Sequence, residues 1–219
     1  MEREEVVIAI LKKRMPEKPI SIFRSFVLAD LVTLANAGLG MAAIFLCLNH
    51  VAGLHTPYLW SVFLLLPLAL VCDVLDGFIA RRLRRRSILG ADLDSLADIV
   101  SFGVAPAVLG FTLGLRGVWD ALILIYFVAC GISRLARFNV TAEALSDRTG
   151  KVKYYEGTPI PSSIIIVIVL GIAFWLGRID NYILLGSYRL GPWIIHPLTV
   201  LYAVSGSLMI SSTLRIPKP

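Results

Sequence analysis

Six apolar stretches alternate with polar links along the 219-residue chain, at residues 26–48, 58–80, 93–115, 119–138, 160–176 and 193–212. A helix needs about 20 apolar residues to cross a hydrocarbon core about 30 Å thick, so the pattern predicts six membrane-spanning helices. The polar residues inside the first stretch fall in register. Asp30, Thr33 and Asn36, at i, i+3 and i+6, lie on nearly one stripe and should face other helices or a cavity rather than lipid. Gly38 and Gly40 follow where helices pack closely, and Pro67 predicts a kink in the second span that packing can absorb. Ahead of the spans, Val6, Val7, Ile10 and Leu11 recur at helical spacing among charges, which predicts a short amphipathic helix on the membrane surface. The expected architecture is an all-α, polytopic six-helix bundle, with residues 1–25 as a juxtamembrane arm and 26–219 as one membrane domain without internal repeats.

Composition agrees: 57% of residues are hydrophobic and 16% charged, the balance of a polytopic membrane protein rather than a soluble core. The net charge of +6 is placed unevenly. Eighteen of the 21 Lys and Arg fall on the N-terminal arm, the links after the second and fourth spans, and the C-terminal tail, leaving Arg116, Arg178 and Arg189 on the other side. That bias predicts cytoplasmic termini and points the basic residues at anionic lipid head groups, not at nucleic acid. Residues 141–157 read as a flexible cytoplasmic loop, 177–191 as an external loop, and 213–219 as a basic tail. His50 and His55 lie in the link between the first two spans without ligand-spaced partners, and His196 lies near the outer end of the sixth. Cys47, Cys72 and Cys130 have neither metal-ligand spacing nor a disulfide framework and read as small buried hydrophobes. The charged N-terminus lacks the form of a cleavable signal peptide.

The acids between Cys72 and Ala107 stand where an apolar chain least tolerates them. Asp73 and Asp76 end the second apolar stretch at i and i+3; Asp94 and Asp98 open the third at i and i+4. Each pair projects from one face of its helix. A carboxylate near a bilayer core costs at least a few kcal/mol unless it is paired, hydrated or metal-bound, and four at helical spacing point to a metal site. Hard oxygen ligands suit Mg²⁺ or Mn²⁺ rather than zinc. Gly77, Ala80 and Gly90 permit close approach, while Arg81 offers a forked donor for phosphate. Asp92 falls outside this spacing and reads as a solvated cap. Arg134 and Arg137, three apart at the end of the fourth span, can meet a substrate anion. Arg82, Arg84, Arg85 and Arg86 read as membrane anchors.

The run Asp73-x2-Asp76-Gly77-x2-Ala80-Arg81-x8-Gly90-x3-Asp94-x3-Asp98 resembles the complete signature of the CDP-alcohol phosphotransferase family. Downstream blocks, Asp94 to Ala107, Ser133 to Val140 and Gly157 to Pro161, are similar to its phosphatidylserine synthase branch. The likeness extends from about Asp30 to Pro217.

The resemblance implies transfer of a phosphatidyl group from CDP-diacylglycerol to L-serine, with release of CMP at the cytoplasmic face of the inner membrane. It implies two divalent ions, Mg²⁺ or Mn²⁺, on Asp73, Asp76, Asp94 and Asp98, with Asp98 also the general base. Thr33, Asn36, Asp73, Gly77, Ala80, Arg81 and Gly90 would surround the CDP-lipid, and Ser101, Arg134 and Arg137 would meet the acceptor or lipid phosphate. Asp30 stands where the family more often has Asn, so only Thr33 and Asn36 are carried over from the first helix. The family suggests a homodimer. The signature fixes only the CDP-lipid half, leaving glycerol phosphate or inositol phosphate as alternative acceptors and CDP-archaeol as an alternative donor. A six-span transporter is the non-enzymatic alternative, but it has no need of Gly and Arg at these gaps.

Overall fold

The computed structural model describes residues 28–53, 58–83, 88–146, 154–179, 183–211 and 215–217. The amphipathic arm, His55 and Arg84 to Arg86 lie outside them.

Helices α1 (Leu28–Val51) and α2 (Leu59–Leu83) pack along each other. The buried face of α2 is largely apolar, with Leu59, Val62, Leu66 and Ala69 enclosed, whereas that of α1 is small and polar. On α1 the buried stripe is Asp30, Thr33, Asn36, Gly40, Ala43 and Cys47, while Leu31, Leu34, Phe45 and Leu48 face outward. Burial from lipid gains an apolar side chain almost nothing, so small and polar residues take the helix contacts and large ones the lipid. The expected polar stripe is therefore present and faces the bundle.

The third rod is continuous but not uniform: α3 (Ile88–Asp98) runs through a π turn (Ile99–Val104) into α4 (Ala105–Thr112). It is the central element, with 61% of its apolar window enclosed, against 28%, 22% and 28% for α1, α2 and the fourth long helix, α5 (Val118–Ser146). Gly40 of α1 packs directly on Ser101 of the π turn. Gly110 of α4 makes room for Tyr202, whose hydroxyl donates to Pro106 O at 2.6 Å and whose ring meets Phe127 edge-on.

Beyond α5 come strand β1 (Tyr154–Glu156), a 3-10 turn (Ile160–Ser163) and α6 (Ile164–Trp175). Strands β2 (Tyr188–Leu190) and β3 (Trp193–Ile195) then form an antiparallel hairpin. A second 3-10 turn (Pro197–Thr199), α7 (Val200–Ile210) and β4 (Arg215–Pro217) complete the chain, with β4 antiparallel to β1. Among the described residues, four helices are long and apolar enough to cross a membrane, Ala29–Val51, Leu59–Arg82, Gly90–Thr112 and Val118–Val140; Ile160–Trp175 and Pro197–Ile210 are apolar but shorter. The chain is thus mostly helical and has the character of an integral membrane protein.

Several expected boundaries move. The stretch 193–212 does not begin as helix: Gly191, at φ 67°, turns the chain, Trp193–Ile195 extends as strand, and Pro197 starts the helical path. Residues 188–190 of the expected external loop form the partner strand. Leu113 and Gly114 end the third rod two residues before the expected Leu115, with Gly114 at φ 119°. The expected loop 141–157 shortens at both ends, because α5 continues to Ser146 and residues 154–156 pair with residues 215–217 of the tail.

At the end of the bundle away from the paired aspartates, one acid that the sequence did not single out ties three elements together. Asp120 is fully buried at the start of α5. It accepts from Gly117 N at 2.9 Å, His196 N at 2.9 Å and Thr199 Oγ1 at 2.6 Å, and its Oδ2 lies 2.5 Å from His196 Nδ1. Four donors satisfy a carboxylate that burial would otherwise penalise heavily. Trp119 Nε1 donates to Leu190 O at 3.2 Å and its ring stacks edge-on against Trp193, which fastens the hairpin above.

The Gly40 contact yields a direct prediction. A methyl group there would lie 2.4 Å from Ser101 Oγ and 2.8 Å from its Cα. Gly40→Ala should therefore push α1 off the central rod and cost about 1–3 kcal/mol, read as a lowered unfolding midpoint in detergent.

Candidate metal centre

Two helices deliver the acids, and each does so by local periodicity. Asp73 and Asp76 lie about two turns before the end of α2; Asp94 and Asp98 lie on α3 just before the π turn. The two faces meet. Among the described residues, Asp73, Asp76 and Asp94 form a cluster in which one oxygen from each lies within 4.8 Å of the others. Asp98 joins through Asp73, with which it is in side-chain hydrogen-bond contact. Asp76 and Asp98 are buried, and Asp98 Oδ1 has no hydrogen-bond partner.

The donor set fits a hard divalent cation. Opposite ligands of an octahedral Mg²⁺ lie about 4.2 Å apart, from its ~2.1 Å bonds, and oxygens spread over 4.8 Å suit one such ion or a pair sharing the carboxylates. Without a cation, two ionised carboxylates 4.8 Å apart would repel by roughly 3 kcal/mol at an effective dielectric near 20. The cluster offers neither sulfur nor imidazole, so zinc is the poorer match.

Thr33 is drawn into the same place, but as a support. Its hydroxyl donates to Asp76 Oδ2 at 2.6 Å and lies 3.1 Å from Ala29 O. Asn36, one turn further along the same stripe, is fully buried with both side-chain amide atoms lacking partners. A buried unpaired amide costs about 1–3 kcal/mol, and this one lies one turn from Thr33, which bonds to Asp76. On α2, Gly77 and Ala80 are partly buried and Arg81 is exposed. The Arg81 guanidinium folds back along Gly77, its Nη1 lying 3.6 Å from where a Cβ would stand. Gly90 is partly buried near the start of α3.

The remaining candidates are held elsewhere. Ser101 is fully buried and donates to Asn36 O at 2.9 Å, joining the central rod to α1. Arg134 lies over the Phe138 ring at 5.5 Å, and Arg137 Nη2 reaches Ile210 O at 3.1 Å, at the end of α7. Asp92 is exposed, as a solvated residue would be. A contact that spacing did not reveal fixes the acid-bearing segment: Ser95, between Asp94 and Asp98, exchanges a hydrogen bond of 3.1–3.2 Å with Asn139 of α5. Asn139 sits in the Ser133 to Val140 block, and its position there was the available signal.

A family model for CDP-alcohol phosphatidyltransferase matches residues 26–204, and the chain belongs to that family. More particularly, it is 40% identical over 215 residues to a CDP-diacylglycerol–serine O-phosphatidyltransferase of Saccharomyces cerevisiae, covering 96% of this chain and 77% of that one. An archaetidylserine synthase of Methanothermobacter thermautotrophicus is 37% identical over 150 residues, 67% of this chain and 58% of its own length. A CDP-diacylglycerol–serine O-phosphatidyltransferase of Bacillus subtilis is 30% identical over 146 residues, 66% and 75% of the respective chains. The family generally uses divalent metal ions, in keeping with the acidic cluster.

Thr33→Val removes the hydrogen bond to Asp76 while keeping side-chain volume. Loss of such an orienting partner typically weakens metal affinity by 10–100-fold, and Mn²⁺ titration of the purified protein by calorimetry should register about that loss.

Proposed function

We propose that this protein transfers the phosphatidyl group of CDP-diacylglycerol to the hydroxyl of L-serine, giving phosphatidylserine and CMP. The observation that carries the reading is the convergence of Asp73, Asp76 and Asp94 from two helices onto one point, with Asp98 beside them. In the reaction the serine oxygen forms a new bond to the phosphorus bearing the diacylglycerol. The bond from that phosphorus to the CMP oxygen breaks, and CMP leaves with the electron pair. Bound to Asp73, Asp76, Asp94 and Asp98, two Mg²⁺ or Mn²⁺ ions would supply Lewis-acid stabilisation of the charge on the pyrophosphate.

The chain's own groups do the rest. Asp98 takes the serine hydroxyl proton, a role open to a carboxylate oxygen that lacks another partner. Arg81, exposed at the end of α2 and able to swing from Gly77, pairs with a phosphate. Thr33 holds Asp76 in place, and the unpaired amide of Asn36 faces the nucleotide. Gly77, Ala80 and Gly90 keep the approach to the cluster low. Arg134 and Arg137 serve the carboxylate of serine or a lipid phosphate after exchanging their present contacts. Ser101 contributes through the α1 backbone rather than by touching the acceptor.

The setting follows from charge and length. The shorter apolar helices Ile160–Trp175 and Pro197–Ile210 would complete a six-span bundle. The basic links and termini support an acidic end at the cytoplasmic face of the inner membrane, where serine and the departing CMP are soluble. Ala129, Ser133 and Ala136 are exposed along one side of α5 and suit close packing against a second copy, which supports a homodimer. The archaetidylserine synthase among the relatives favours one second reading, the same head-group chemistry on a CDP-archaeol donor.

The test is purified protein offered CDP-diacylglycerol with serine, glycerol phosphate or inositol phosphate in turn. CMP release should appear with serine, vanish with chelator and return with Mn²⁺ or Mg²⁺; release with another alcohol alone would overturn the acceptor. Asp98→Asn should lower turnover by about 10²–10⁴-fold, the usual worth of a general base, while nucleotide binding persists. A near-normal rate would refute its role.

A further inference from the structure

We propose that Ser163, at the head of α6, is a positioning residue for Asp98, acting through the π turn that begins one residue after it. In an unbroken α-helix the amide of residue 106 would donate to the carbonyl of residue 102. Residue 106 is proline, which has no N–H and whose ring would clash with that carbonyl. The chain answers in two ways. It widens into a π turn over Ile99–Val104, with Ala105 N bonded to Val100 O, five residues back. The Ser163 hydroxyl then donates to Phe102 O at 2.7 Å, supplying from another helix the bond that Pro106 withholds. Ser163 is fully buried.

The extra residue of a π turn rotates everything before it relative to everything after it by about 100°, the angle per residue of a 3.6-residue turn. What comes before it is Asp94 and Asp98; what comes after is α4, fixed by Tyr202 to α7. The orientation of the two acids toward α2 therefore depends on the turn keeping its shape. The surroundings hold it from several sides. Ile160, in the same 3-10 turn as Ser163, fills the space over Gly103 and Gly131 beside Ile99, where an added methyl would meet its Cδ1 at 3.7 and 2.7 Å. Ser101 bonds to α1, and Ser95 to Asn139. Ser163 alone among these supplies the donor that the proline removes. This rests on the reading of Asp98 as ligand and base, and it extends that reading to a residue 65 positions later in the chain.

The experiment compares Ser163→Ala, Ser163→Thr and Tyr202→Phe by kcat and KM for CDP-diacylglycerol and by calorimetric Mn²⁺ titration. Tyr202→Phe is the control, since it removes another buried hydroxyl from a carbonyl of the same rod, but one beyond the turn. Ser163→Ala is expected to lower kcat and Mn²⁺ affinity by about tenfold each with KM changed less than twofold. Ser163→Thr should keep both, and Tyr202→Phe should leave both within twofold while lowering the unfolding midpoint. Should Ser163→Ala fail to purify folded, Ser163→Cys, whose thiol donates weakly, gives the same readout. Unchanged kcat and Mn²⁺ affinity in Ser163→Ala, or equal losses in Tyr202→Phe, would overturn the proposal. Wild-type protein that binds Mn²⁺ but releases no CMP would instead refute the proposed function, and the Mn²⁺ titrations would still decide the role of Ser163.

Discussion

Crowding of like charge in a medium of low dielectric is the constraint around which the rest of this fold is arranged. Asp73, Asp76 and Asp94 bring oxygens within 4.8 Å of one another, and Asp98 adds a fourth acid against Asp73. Such a group relaxes by splaying apart, by taking up protons or by holding a cation. Contacts between the helices oppose splaying, and the family generally uses divalent metal ions.

A buried apolar cluster that includes Leu66, Phe102, Leu109 and Phe127 fills the bundle, and hydrogen bonds and close approach fix how its helices meet. Lipid competes for leucine as well as the interior does, so the helices are joined where small residues meet and hydroxyls reach neighbouring carbonyls. Gly40 on Ser101, Gly110 on Tyr202, and Gly103 with Gly131 around Ile160 are the contacts of the first kind. Ser101 to Asn36, Ser163 to Phe102 and Tyr202 to Pro106 are those of the second. All three bonds converge on the central rod, so the element carrying Asp94 and Asp98 is also the best secured. Asp120 does the same at the other end, where one carboxylate gathers α5, the hairpin and the approach to α7.

How much of this was legible in the sequence follows from the range of each interaction. The acids are read directly because their spacing is local: i, i+3 and i, i+4 define a helix face whatever the rest of the chain does. The stripe of Asp30, Thr33 and Asn36 is legible for the same reason, and it proved buried as expected. Partners were not. The bond from Thr33 to Asp76 is not legible, because nothing local shows that Asp76 lies opposite it, 43 residues on. Asp120 went unnoticed because its partners His196 and Thr199 are 76 and 79 residues away. Residues 193–195 were read as helix because a short apolar run has no period of its own. Only Gly191 and Pro197 on its flanks reveal the strand.

The unequal heights of the helices have a consequence for the lipid around them. On the six-span reading, α1, α2, the central rod and α5 offer apolar lengths of about 35 Å at 1.5 Å per residue, whereas Ile160–Trp175 and Pro197–Ile210 offer only about 24 and 21 Å. A hydrocarbon layer of about 30 Å cannot match both, so it thins beside the short pair or the long helices tilt. Where the layer thins rather than the helices tilting, the six-span protein would sit in a dimpled patch of bilayer, shallowest on the α6 and α7 side. Acyl-chain length becomes a mechanical variable for an enzyme whose substrate is itself one of the lipids being deformed.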